Sequence, residues 1–265
     1  MTFDPMGTVA LVTGASSGLG MEFAHRLAER GADLVLVARR ADRLEQLATE
    51  LRAKYGTTCT VVPLDLTAPD AVASLVATLA AAGIRLSTLV NNAGFGTHGT
   101  FATLDPDRIA DEIQLNVTAL VELTRTFLPE LLASSNGALV NVASTAAFQP
   151  MPRMAVYGAT KAFVLSFTEA IASENRRSSL KVLALCPGPT TTEFFDVATS
   201  HDAAFGTFQT AEQVITTAFA ALDRTRTPAS IVSGRINAAQ ATSVGFAPRR
   251  LVLWLVGLLG EPKPT

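Results

Sequence analysis

Between Val9 and Cys186 the chain repeats one pattern: a short run of β-branched or apolar residues, a polar or glycine-containing turn, then a longer stretch with apolar residues at helical spacing. That alternation suits a parallel sheet, because parallel neighbours cannot be joined by a tight hairpin and each crossover helix covers one face of the sheet. Strands are expected at 9–13, 33–38, 58–63, 88–91, 138–142 and 181–186, and helices at 18–30, 43–54, 69–82, 107–134 and 157–176. Six strands with such crossovers predict a doubly wound parallel α/β sheet in three layers, α/β/α. No linker-like composition, repeat or low-complexity stretch divides the chain, so residues 1–265 read as a single domain.

Charge and cysteine usage exclude several classes of function. Lys and Arg number 21 against 23 Asp and Glu, without clusters, so no basic excess is available to displace counterions from a nucleic acid. Cys59 and Cys186 are far apart, and His25, His98 and His201 lack metal-ligand spacing, so neither a disulfide scaffold nor a metal site is expected. The first seven residues lack the basic and apolar regions of a secretory signal, which makes cytoplasmic residence the expectation.

A glycine-rich turn, Thr13-Gly14-Ala15-Ser16-Ser17-Gly18-Leu19-Gly20, follows the first expected strand and opens the first expected helix. In that setting Gly14 permits a tight turn, Gly18 lets backbone approach a pyrophosphate, and Gly20 lets helix pack on strand, with the helix N-terminus facing the anion. No Gly-Lys-Ser/Thr ending is present, which argues against an ATP-binding loop. Arg39 lies 19 residues past Gly20, where an NAD site would usually present an acid to the ribose 2'-hydroxyl. Arg39 and Arg40 instead offer guanidinium groups that can fork onto a 2'-phosphate, with Ser16 adding a hydroxyl, so NADP(H) is expected over NAD(H).

Tyr157 and Lys161 stand at i and i+4, neighbours on one helix face, where a cation could bring a phenol toward its working range. Ser144 precedes Tyr157 by 13 residues, just past an expected strand at the end where open α/β sheets bind ligands. Asn116 is a polar residue in a mainly apolar helix that needs a partner if it is buried.

Taken together these residues resemble the short-chain dehydrogenase/reductase family, of the type with a Thr-Gly-x-x-x-Gly-x-Gly turn and a Tyr-x-x-x-Lys pair. The resemblance extends through Asp65-Leu66, Asn91-Asn92-Ala93-Gly94, Asn116, and Cys186 to Thr192. It implies a Rossmann fold and a nicotinamide cofactor contacted by Gly14, Ser16, Ser17, Gly18, Leu19, Gly20, Arg39 and Arg40. By the same resemblance Asp65 and Leu66 border adenine, and Asn91, Asn92, Ala93 and Gly94 border the adenosine ribose and central sheet. Pro187, Gly188, Thr190 and Thr192 flank nicotinamide and pyrophosphate. It further implies that Tyr157 donates the proton, Ser144 hydrogen-bonds the reacting oxygen, Lys161 binds the nicotinamide ribose and lowers the Tyr157 pKa, and Asn116 holds a water that links Lys161 to solvent. A homodimer or homotetramer follows by resemblance alone. Two positions depart from the family pattern, Ala143 where many relatives have Ser and Thr190 where a hydrophobic residue is usual. Thr145 is the fallback for the hydroxyl role.

These features lead to an NADP(H)-dependent oxidoreductase acting on a hydrophobic ketone, aldehyde or secondary alcohol. The alternatives are an NAD-dependent alcohol dehydrogenase and a catalytically inactive cofactor-binding regulator. Phe95, Phe148, Met151, Met154, Phe194 and Phe195 are candidates for an apolar substrate pocket. The stretch 190–210 reads either as a substrate lid or as a surface segment packing its own aromatics. The apolar segment 248–260 is too short to span a bilayer and stays open between an oligomer contact, a flap over the active site and a peripheral membrane anchor.

Overall fold

A computed structural model of the chain describes residues 2–194 and 206–259. Seven parallel strands form one sheet in the order β3-β2-β1-β4-β5-β6-β7: β1 Val9–Thr13, β2 Asp33–Ala38, β3 Cys59–Pro63, β4 Thr88–Asn91, β5 Ala138–Val142, β6 Lys181–Cys186 and β7 Ser230–Val232. The seventh strand was not expected. It is three residues long, and Pro228-Ala229 before it interrupts any apolar run long enough to read as a strand.

Strand side chains alternate between two apolar layers, which is why the strands read as continuous hydrophobic runs rather than as polar alternation. Ala10, Val12, Leu34, Leu36, Leu183 and Leu185 face one layer, packed by α1 Gly18–Glu29, α2 Ala41–Tyr55 and α7 Ala211–Leu222. Leu11, Val35, Val37, Leu89, Leu139 and Val182 face the other, packed by α3 Ala71–Ala81 and α5 Leu120–Ala133. In α7, Val214, Ile215, Ala218, Phe219 and Leu222 form the buried stripe. A capping box between Thr210 and Gln213 starts that helix, with bonds of 3.0 and 3.2 Å.

The expected helix over 107–134 is divided. α4 Pro106–Ile113 starts at the Asp105 cap, a π-helical turn spans Gln114–Ala119, and α5 follows. The extra residue of a π turn rotates the side chains beyond it, an offset that a 3.6-residue period cannot reveal in sequence. α6 Ala155–Glu174 packs beside β6, and α8 Arg235–Phe246 and α9 Arg249–Leu259 complete the described chain. None of the helices among the described residues is long and apolar enough to cross a membrane.

Strand order reverses between β1 and β4, where Leu11 pairs with both Val35 and Leu89. Connections leave in opposite directions on either side of that point, and the crevice beyond the carboxyl ends of the strands is where an open sheet can take a ligand.

Candidate active site

The crevice is a cleft of about 660 Å³ running from the glycine-rich turn to the start of α6. At one end the turn is locked to the neighbouring strand. Thr13 Oγ1 accepts from the amides of Asn92 at 2.9 Å and Ala93 at 3.0 Å, while Asn92 Nδ2 donates to Thr13 O at 2.9 Å. Gly14 and Gly18 have φ of 65° and 55°, a region L side chains seldom adopt. A Cβ on Gly20 would lie 2.2 Å from Gly14 O, so this glycine is required for α1 to approach the turn.

Arginines surround the adjoining rim. Arg40 donates to Ser16 Oγ from Nε at 3.3 Å and Nη2 at 3.1 Å, and its Nη1 donates to Glu193 at 2.9 Å. Arg43 also bonds Glu193. These two guanidiniums, Arg43 foremost, hold the Glu193 carboxyl below its ordinary pKa. Arg39 lies 4.0 Å from Asp65, which accepts from the Thr67 amide and hydroxyl at 3.0 and 2.8 Å. Neither Arg43 nor Glu193 was expected here; Glu193 is 150 residues from Arg43, and no local pattern announces so distant a partner.

Gly14, Ser16, Ser17, Gly18, Leu19, Arg39, Arg40, Asp65, Leu66, Asn92, Ala93, Gly94, Pro187, Gly188, Thr190 and Thr192 all line the cleft. Gly20 supports it from behind. Asn91 departs from expectation, since its Nδ2 donates to Thr124 Oγ1 at 3.0 Å and Asn141 Oδ1 at 2.9 Å inside the protein. Asn141 continues to Thr168 at 2.9 Å, so Asn91 begins a polar ladder between sheet and helices.

At the other end Ser144, Tyr157 and Lys161 share one wall. Ser144 follows β5 and caps a 3-10 turn, accepting from the Ala146 amide at 3.1 Å. Tyr157 and Lys161 lie one turn apart on the buried face of α6. Lys161 Nζ donates to Val142 O at 2.8 Å and sits 5.8 Å from the Tyr157 ring centroid. Burial pushes the Tyr157 hydroxyl up to about 12, opposed by the Ser144 hydroxyl and reinforced by Glu112. Burial also lowers Lys161 to about 8. In this arrangement burial outweighs any lowering of the phenol by the Lys161 cation. Desolvation acts on both groups, and the ammonium is turned to a carbonyl.

Asn116 has the partners that its burial requires. It is buried in the π turn behind Gly94, where its Oδ1 accepts from the Phe95 amide at 3.1 Å and its Nδ2 donates to Phe95 O at 2.8 Å and Thr160 Oγ1 at 3.1 Å. Its partners are protein groups that tie the loop after β4 to α6. One turn earlier, Glu112 is fully buried, and burial raises its pKa. The Thr97 hydroxyl and amide approach this carboxyl without closing hydrogen bonds. A lone Glu among helix-spaced apolar residues reads as surface, and nothing local in the sequence marks it as buried.

Phe95, Met151, Met154 and Phe194 line the cleft, and the Phe194 ring packs 5.3 Å from that of Tyr157. Phe148 instead joins the core beside Leu120, Val164 and Cys186. Phe195 and most of the 190–210 stretch lie outside the described residues. Val252 and Val256 of α9 pack in one buried cluster with Ala146, Met151, Met154, Tyr157 and Phe194, behind the residues that line this end of the cleft. Cys186 is buried, and its thiol is pushed up to about 12 by burial, which suits an inert core residue.

A nicotinamide dinucleotide fits this cleft. The turn is built of glycines that a Cβ would obstruct, and its rim already draws a carboxylate between two arginines. Residues 8–203 match the model of the short chain dehydrogenase family. A sulfoacetaldehyde reductase of Chromohalobacter salexigens is 39% identical over 201 residues, 75% of this chain and 79% of that protein. The very-long-chain 3-oxoacyl-CoA reductase of Bos taurus is 33% identical over 186 residues, 69% of this chain and 59% of the longer relative. Among solved structures, a short-chain dehydrogenase from Sphingobium yanoikuyae in complex with NADPH superposes with a TM-score of 0.78 at 32% identity, covering 97% of each chain.

Proposed function

Because the chain belongs to the short chain dehydrogenase family and is an oxidoreductase of carbonyl or alcohol groups, we propose that it is an NADP(H)-dependent reductase of a hydrophobic ketone or aldehyde. One observation carries the reading: Ser144, Tyr157 and Lys161 share a wall at one end of a cleft whose other end is rimmed by Arg39 and Arg40, with Arg43 behind them on Glu193. Arg40, already hydrogen-bonded to Ser16, is placed to receive a 2'-phosphate, and Arg39 flanks it. No acidic residue ends β2, where a ribose 2'-hydroxyl would be held.

When bound, the nicotinamide supplies the hydride. The Ser144 and Tyr157 hydroxyls hold the substrate oxygen, and Tyr157 donates its proton from Oη as that oxygen gains charge. Burial raises the phenol pKa, so Tyr157 holds at neutral pH the proton it would donate. Lys161 carries the positive charge beside the phenol below about pH 8 and orients the ribose hydroxyls. Asn116 positions the loop at Phe95 against α6 through Thr160.

Phe95, Met151, Met154 and Phe194 give the substrate end an apolar wall, backed by Val252 and Val256, which supports a hydrophobic substrate. An exposed apolar groove formed by Ile113, Val117, Val156 and Phe163 on α4, the π turn and α6 supports a homodimer or homotetramer through those helices. Two buried free cysteines suit the reducing cytoplasm.

Titration with NADPH and NADH tests the cofactor. Arg40→Asp is expected to weaken NADPH by about tenfold to a hundredfold, the loss of a charge-assisted hydrogen bond, and to leave NADH little changed. Tyr157→Phe should cut reductase turnover by about 10²- to 10⁴-fold while retaining NADPH binding. Equal affinity for both nucleotides in the parent protein would remove the NADP(H) assignment. Undiminished turnover in the tyrosine variant would remove the catalytic one.

A further inference from the structure

The two faces of α9 have different partners. Val252 and Val256 are buried against Met151, Met154, Tyr157 and Phe194, while Arg250, Leu251, Leu253, Trp254 and Leu255 spread over the remaining broad arc and are exposed. Trp254 is 60% exposed and Phe246, at the end of α8, is 86% exposed, with Ile236 further along the same helix pair. Such a concentration of large apolar side chains on one pair of helices requires a covering partner.

Charge identifies the kind of partner. Between Ser233 and Leu259 there is no Asp or Glu, against Arg235, Arg249 and Arg250, although the whole chain is slightly acidic. Arg249 and Arg250 occupy the first turn of α9, where the helix dipole disfavours cations, and no acidic residue there offsets them. Their placement costs the isolated helix stability, a cost that an external anionic surface would offset. A second copy presenting the same patch would bring no acidic residue to pair with these arginines. Arg250 beside leucines and a tryptophan on one arc of a helix too short to span, with Arg249 exposed at its start, is the composition of an element lying in a lipid headgroup layer.

We propose that the outer face of α8 and α9 docks the protein on an anionic lipid bilayer, with α9 in the plane of the headgroups and Trp254 inserted below them.

Trp254 is the chain's single tryptophan, so its fluorescence reports on this helix alone. The full chain should co-sediment with phosphatidylcholine vesicles containing phosphatidylglycerol and not with phosphatidylcholine alone. Trp254 emission should move to shorter wavelength and be quenched by brominated acyl chains, and high salt should release the protein. The double variant Arg249→Gln/Arg250→Gln should lose about thirtyfold in partitioning, at roughly 1 kcal/mol for each cation near the surface. Leu253→Glu should abolish insertion, with thermal melting confirming that each variant remains folded. Unchanged Trp254 emission with the protein left in the supernatant overturns the proposal, as does equal binding to neutral vesicles. So does a dimer in the absence of lipid that Trp254→Glu converts to monomer, because a second copy then covers the face.

Discussion

Glu193 accepts a hydrogen bond from Arg40 at 2.9 Å, which places a carboxylate of the chain itself where the proposed 2'-phosphate would lie. Arg43 closes on the same carboxylate, so an incoming phosphate exchanges one anion for another.

Removing that competing anion should favour nucleotide. Glu193→Gln is expected to tighten NADPH by up to about fivefold, the range of a solvent-exposed ion pair, and to leave NADH unchanged. Calorimetric titration of both nucleotides checks this, and equal tightening of the two would detach Glu193 from the phosphate end.

Lys161 makes stability depend on alkaline pH. Its folded pKa is near 8 against 10.5 for the free side chain, so between those values the unfolded chain binds more protons than the folded one. Stability then rises with pH across that window, and below pH 8 the full cost of about 3 kcal/mol is present. Lys161→Met should melt above the parent protein at pH 7, with the gap closing toward pH 10.5. A gap independent of pH would show that packing rather than charge burial separates the two proteins.

The glycine-rich turn should respond steeply to one methyl group. Gly20→Ala forces a Cβ to 2.2 Å from Gly14 O and 2.6 Å from Asn92 Nδ2, so strand and helix must separate. Destabilisation of about 1–3 kcal/mol and weaker NADPH binding are expected. Gly245→Ala, in α8 with nothing near its Cβ, should instead stabilise by about 0.5–1 kcal/mol. Thermal melts of the two variants should therefore move in opposite directions.

What was legible in the sequence is what depends on local geometry. Gly14 and Gly18 answer to backbone conformation, Tyr157 and Lys161 to one helical turn, and Ser144 to the end of a strand. What was illegible depends on partners distant along the chain or on small shifts of phase. The resemblance places Asn91 beside the adenosine ribose and has Asn116 hold a water, and neither reading announces their side-chain partners, which are Thr124, Asn141, Thr160 and the Phe95 backbone. Glu112 and Glu193 looked like ordinary surface acids. β7 was too short to form a pattern, and the π turn differs from an α-helix by a single residue.

The packing of Val252 and Val256 against Tyr157 and Phe194 separates two tasks along the polypeptide. Everything proposed to grip the nucleotide lies before residue 195, whereas the residues proposed for the substrate end are backed by α9. A lineage could exchange that last helix and acquire a different clientele while leaving its redox machinery untouched.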